Sequence, residues 1–132
     1  MVAHEIIGDP LELPDGTKLP LSKAVRAGDF IFLAGQLALD SRGRLHGENI
    51  EFQTRQCIEN IREILALTNC DLSNVVKSTV WLVDKSDFSG FNKVYAEYFE
   101  TDPPARSTIC SALMLRGALV EIEVVAFNPR PT

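Results

Sequence analysis

The sequence predicts an α+β fold in which two helices cover one face of a sheet. Two segments, about 50–67 and 88–99, repeat apolar residues at three- and four-residue steps. Three stretches, 30–37, 75–84 and 118–127, are rich in β-branched and aromatic residues and read as strands. Their order, roughly β-β-α-β-α-β-β, fits two layers around one core.

Residues 1–18 carry Gly8, Pro10, Pro14 and Gly16, which makes them an irregular arm with room for one short strand. Segments 21–27 and 30–37 flank Ala27-Gly28-Asp29 and form a hairpin. Gly35 inside the second segment marks a bulge or a close backbone approach. A polar loop over 40–49 ends on Asn49, a natural cap for the first helix. On that helix Ile58, Ile61, Ile64 and Leu65 form the apolar face, and Gln53, Arg55, Gln56, Glu59 and Arg62 fall on wetter faces. Ser86 or Asp87 is placed to cap the second helix. Its stripe of Phe88, Phe91, Val94, Tyr95 and Tyr98 reads as sheet-facing. Pro103-Pro104 ends that unit, 106–112 reads as a strand, and 128–132 is a short tail.

In the last strand Val120, Ile122, Val124 and Ala126 alternate with Leu119, Glu121, Glu123, Val125 and Phe127. Both faces carry apolar residues, so a sheet covered by helices on one side is still sticky on the other. That pattern predicts association between subunits.

A length of 132 residues fits a single domain over 1–132. With 45% hydrophobic and 23% charged residues, the chain can build an ordinary core. The net charge of −5 and the lack of a dense basic run leave out the electrostatic footprint of a nucleic-acid binder. No apolar run approaches the roughly 20 residues needed to span a bilayer. The first residues, MVAHEIIGDP, lack the pattern of a secretory signal. Cys57, Cys70 and Cys110 are an odd number at no zinc-site spacing. A cytoplasmic protein with reduced thiols is expected, with no metal, no organic cofactor and no membrane or nucleic-acid partner.

Four polar residues stand out. Arg106 opens a strand directly after Pro103-Pro104-Ala105, where two prolines stiffen its approach. A fixed guanidinium clamps a carboxylate through two parallel bonds; a surface salt bridge is the plainer reading. Glu121 interrupts an apolar strand and must be paired, hydrated or aimed at a cavity. Partly dried, it would hold a proton and exchange it with water. An ion pair with Arg106 or a partner's arginine would make it merely structural. Asn92 sits within the second helix's stripe, facing a pocket or the stripe's exposed edge. Cys110 shares a strand face with Arg106 but has no nearby histidine, so a buried small hydrophobe is the simpler role.

Taken together, AVRAGDFIFLAGQLALD (24–40), QTRQCIENIREILALTNCDLSNVVKSTVWLVDKSDFSGFNKVYAEYF (53–99), PPARSTI (103–109) and GALVEIEVVAF (117–127) resemble the reactive-intermediate deaminase (RidA, YjgF-like) family over about residues 19–127. The resemblance implies a chorismate-mutase-like α+β fold, with two helices on one face of a mixed sheet. It implies a homotrimer with a barrel-like centre and clefts between subunits. It also implies hydrolysis of unstable enamines or imines to a 2-oxo acid and ammonia, without metal or cofactor. On this resemblance Arg106 binds the substrate carboxylate, Glu121 handles a proton or water, and Asn92 and the backbone at Thr108 line the pocket. Thr108 stands where several members have Cys or Val, and two further departures remove polar handles. Leu21 stands where a tyrosine is common, and Ala34 where a serine is common. Fewer polar handles fit a larger or less polar amino-dienoate, and 2-aminomuconate, handled by one branch of the family, is a candidate. Arg26, Arg44 or Arg116 would then be candidates for its second carboxylate. A non-catalytic small-molecule-binding or protein-protecting trimer is one alternative; a translation-associated or RNA-cleaving role is another, against which the acidic balance and the missing basic groove argue.

Overall fold

The computed structural model describes residues 4–131; residues 1–3 of the expected arm and residue 132 of the tail lie outside them. Six strands form one sheet: β1 (Glu5–Ile7), β2 (Ala24–Ala27), β3 (Phe30–Leu33), β4 (Val75–Leu82), β5 (Ala105–Cys110) and β6 (Val120–Phe127). Their order across the sheet is β1-β2-β3-β6-β4-β5. Helices α1 (Ile50–Ala66) and α2 (Phe88–Tyr98) complete the chain. Every neighbouring pair is antiparallel except β4 and β5, which are parallel. That pair needs a crossover, and α2 supplies it. The expected mixed α+β order therefore holds, with one short strand in the N-terminal arm.

Strand alternation divides the sheet into two faces. Ile31, Leu33, Val80, Leu82, Val120, Ile122 and Val124 are buried, as are Ile58, Ile61 and Leu65 of α1 and Phe91 of α2. They form one core between the sheet and the helices. The opposite face is open. It exposes Ile6, Phe30, Phe32, Ile109 and Phe127, and Phe30 packs on Phe127 with ring centres 5.3 Å apart. This is the second apolar face that the alternation of the last strand predicts.

Local chemistry sets the helix positions. Asn49 caps α1, its Oδ1 accepting from the Phe52 amide at 2.9 Å. The cap expected at Ser86 or Asp87 lies elsewhere. A 3-10 turn over Lys85–Asp87 precedes α2, and Asp84 caps that turn by accepting from the Ser86 amide at 2.9 Å. Asp87 already has helical backbone angles and makes no side-chain cap bond. The extra turn moves the first free amides upstream, so the cap moves with them. Gly90 lies against Ile50 and Glu51, where any Cβ would collide with both side chains. Its lack of a side chain lets the two helix starts approach closely.

Two assignments of side chains change. Gln53, expected on a wetter face, is buried at 1% exposure. Its Nε2 donates to the Gly47 and Gly117 carbonyls at 3.2 and 3.0 Å, and its Oε1 accepts from the Leu119 amide at 2.8 Å. It ties α1 to two loops with its amide satisfied at both ends. Tyr98, expected against the sheet, turns to α1 and donates to Glu59 Oε2 at 2.7 Å. Only the middle of the stripe, Phe91, Val94 and Tyr95, is buried.

Replacing Gln53 with leucine would take this partner from the half-buried Leu119 amide and from the carbonyl of exposed Gly117. The expected loss of unfolding free energy is about 1–3 kcal/mol, the net scale of two or three ordinary hydrogen bonds. Urea titration measures it, and an unchanged midpoint would contradict the clamp.

Candidate active site

Arg106 lies on β5, an edge strand whose parallel register sets it beside Ser78 of β4. Ser78 is fully buried on the helix side. Arg106 therefore also points toward α2. Its guanidinium carbon lies 4.8 Å from the Tyr95 ring centre, 5.2 Å from Phe91 and 5.8 Å from Phe88. These are cation–π distances. The three ion pairs among the described residues are Arg55–Glu97, Arg62–Glu59 and Arg130–Glu5. Arg106 is in none of them, so the salt-bridge reading does not hold among the described residues. Burial pushes the Tyr95 phenol above its usual range, and the charge of Arg106 opposes that rise.

Beside this arginine runs a groove of about 270 Å³ lined by Leu82, Lys85, Phe88, Thr108, Ile109 and Cys110. Thr108 follows Arg106 by two residues and shares its strand face. Asn92 is half-buried one turn after Phe88, on the side of α2 that carries Phe88 and Tyr95. Cys110, expected to be buried, is exposed, with Sγ 3.5 Å from the Val83 carbonyl. The edge position of β5 explains this, because no further strand covers it. Lys85 was not singled out by its sequence context, and it lines the groove only because the turn before α2 lies at the end of β4.

Glu121 occupies the other face. It pairs across β6 and β4 with Trp81, one residue out of phase with the buried Val80–Ile122 pair. Burial raises its carboxyl pKa above the ordinary value, and the neighbouring Glu123 charge adds to the rise. The 34–36 segment runs beside it. Between the Phe32–Val125 pair and the Gln36–Ile122 bridge, three residues face two. That is a bulge, and Gly35 lies in it. A Cβ on Gly35 would overlap the Glu121 carboxylate. Both readings of Gly35 are therefore right: a bulge that admits a close approach. Ala34 donates its amide to the Lys23 carbonyl at 2.9 Å, and exposed Leu21 sits two residues before Lys23.

The chain thus carries two half-sites. Arg106, Asn92 and Thr108 lie at the β5–α2 edge on the helix side. Glu121 lies on the open face two strands away, with Ala34 just after β3 and Leu21 in the loop leading into that hairpin. Within one chain the sheet separates them. Of the further cations named from sequence, Arg26 donates to the Asn128 carbonyl at 2.9 Å, and Arg44 and Arg116 are exposed in loops. A separate hollow of about 300 Å³ is lined by Glu97, Glu100 and Asp102 with no basic side chain, so it would repel a carboxylate. Among the described residues no cluster of His, Cys, Asp or Glu could hold a metal, and no helix is long and apolar enough to cross a membrane.

The fold is a two-layer α+β subunit with an apolar second face, and its candidate polar residues lie on opposite sides of one sheet. A family model described as Endoribonuclease L-PSP matches residues 16–128. The chain belongs to that family, the RidA/YjgF family. It is 42% identical over 110 residues to a RutC family protein of Pyrococcus horikoshii, covering 83% of this chain and 87% of that one. It is 39% identical over 110 residues to the human 2-iminobutanoate/2-iminopropanoate deaminase, covering 83% and 80%. The crystal structure of yeast Mmf1 superposes with a TM-score of 0.85 at 31% identity, covering 95% of this chain and 98% of that one.

Gly35→Ala tests the Glu121 half-site. The overlapping atoms belong to the end of a flexible side chain, so the fold should survive while the carboxylate is displaced. Circular dichroism is expected to be unchanged, with the raised Glu121 pKa, read by carboxyl NMR titration, moving. An unmoved titration would show that Gly35 does not shape this half-site.

Proposed function

We propose that this protein is a cofactor-independent enamine/imine deaminase. It hydrolyses a carboxylate-bearing 2-amino-alkenoate or 2-imino acid to a 2-oxo acid and ammonia. The observation that carries the proposal is Arg106, a guanidinium with no ion-pair partner in the described chain, set beside a mostly apolar groove. The name of the human relative, which acts on 2-imino acids, supports the same chemistry. A single arginine beside such a groove suits one carboxylate. It does not resemble the basic stripe that a nucleic acid requires.

The proposed site lies between neighbouring subunits of a homotrimer, where the β5–α2 edge of one chain meets the open face of the next. There Arg106 binds the substrate carboxylate through paired charge-assisted hydrogen bonds and withdraws electron density. Asn92 and the Thr108 backbone complete the pocket wall. Glu121, kept protonated by burial to a higher pH than an ordinary glutamate, delivers a proton to the enamine carbon directly or through water. The resulting iminium carbon takes up water. Collapse of that adduct releases ammonia and leaves the 2-oxo acid. Glu121 recovers its proton from solvent. Holding the reactants in place supplies much of the rate in such a scheme.

Leu21 and Ala34 favour substrates with little polarity beyond the reacting carbons. An unsaturated dicarboxylate such as 2-aminomuconate remains within the proposal, because the groove is walled by Leu82, Phe88 and Ile109 and has Lys85 at its rim. A purely binding trimer would use the same arginine without the acid.

Ammonia release from freshly generated 2-aminoacrylate, 2-aminocrotonate and 2-aminomuconate tests the proposal. Arg106→Ala should lower kcat/KM by about 10- to 150-fold, the scale of a lost hydrogen bond to a charged group. No acceleration of any of the three by the folded wild type would overturn it.

The pH dependence has a definite sign. Glu121 acts as the acid in this scheme, so its protonated form is the active one, and burial raises the pKa at which it is lost. The wild-type rate should fall as pH rises through that pKa, and Glu121→Gln should be slow with that limb gone. The same shift favours the folded state below the ordinary glutamate pKa, and that contribution is lost as pH rises through the raised value. A limb that persists in Glu121→Gln would assign the titration to another group.

A further inference from the structure

We infer that the aromatic rings of α2 are positioning residues that hold Arg106 as an uncompensated cation, and that Phe88 is the ring on which its carboxylate affinity depends at the mouth of the site. This rests on the reading that Arg106 binds a carboxylate. An arginine at the start of an edge strand, next to solvent, has many rotamers to lose on binding. A carboxylate partner would restrict it but would also occupy the donors that a substrate needs. Neutral rings restrict it without cancelling its charge. Here three rings do so, at 4.8, 5.2 and 5.8 Å, and no carboxylate among the described residues is paired with it.

The three rings divide the work. Phe91 and Tyr95 are buried at 0% and 5% exposure and stack on each other at 5.2 Å, so they belong to the core as well. Phe88 is 45% exposed. It opens α2, lies under the guanidinium and lines the groove with Thr108 and Ile109. It is the one ring that touches both the clamp and the space a substrate would enter. Its exposure also means that removing the ring costs the core little. A side chain half in water with no need to fill the core has another reason to be phenylalanine, and the guanidinium above it supplies one.

The experiment is a double-mutant cycle read by calorimetric binding of 2-oxobutanoate, a carboxylate that cannot turn over. Phe88→Leu is expected to weaken binding by about 2- to 5-fold, the range for a partly exposed cation–π contact. Phe88→Tyr, which keeps the ring, should restore it. In an Arg106→Ala background Phe88→Leu should have no further effect. Equal weakening by Phe88→Leu with and without Arg106 would overturn the inference, because the ring would then act by packing on the ligand alone. Wild-type affinity in Phe88→Leu would overturn it too. If Arg106→Ala itself leaves binding unchanged, the carboxylate reading fails first, and this inference fails with it.

Discussion

The parallel pairing of β5 with β4 is the constraint on which the site depends. It registers Arg106 beside Ser78 and so directs the arginine to the helix side of the sheet. The antiparallel pairing of β6 with β4 registers Glu121 beside Trp81 and directs the glutamate to the open side. The alternation of β6 leaves no freedom here. Turning Glu121 to the helix side would expose Val120, Ile122 and Val124, all of which are buried. Burying one of those side chains is worth about 1.5–3 kcal/mol, so a slip of one residue in register is ruled out by the core. The fold's stability therefore enforces the separation of the two polar groups, and in the proposed trimer a second copy rejoins them.

The rest of the chain supports this arrangement in small ways. Gly90 lets α2 sit close to α1, and the helix position in turn sets the rings beneath Arg106. Gln53 fastens α1 to the loop that leads into β6. Gly35 clears space for the Glu121 carboxylate, and the bulge around it ends the regular pairing of β3. The same open face that holds Glu121 carries Phe30, Phe32 and Phe127, so the surface that favours association is continuous with the half-site that needs it.

Much of this was legible in the sequence. Periodicity located both helices, and β-branched runs located the main strands. The alternation around Glu121 revealed two apolar faces. Gly35 announced its own close approach. Gln53 is polar, but it lies three residues after Ile50 and four before Cys57, and that spacing rather than its polarity sets it on the buried face. Tyr98 was misplaced because a helix packed against both a sheet and another helix has two buried sides, which one stripe does not describe. The ring cradle of Arg106 was hidden for another reason. Phe88, Phe91 and Tyr95 read as core, and nothing local to them says that β5 returns in parallel beside β4. Likewise, strand alternation gives the side of each residue on its own strand, but relating Arg106 to Glu121 requires the sheet order.

Subunit complementation tests the central claim most directly. Arg106→Ala and Glu121→Ala chains would be unfolded together, refolded as a mixture and assayed for ammonia release beside each variant refolded alone. If each cleft takes its arginine from one chain and its glutamate from the next, random assortment restores about a quarter of the clefts in a closed ring. The account predicts recovery of activity toward that fraction of wild type, from two parents that are each nearly inactive. Mixed oligomers no more active than their parents would contradict it, because both groups would then have to act from the same chain.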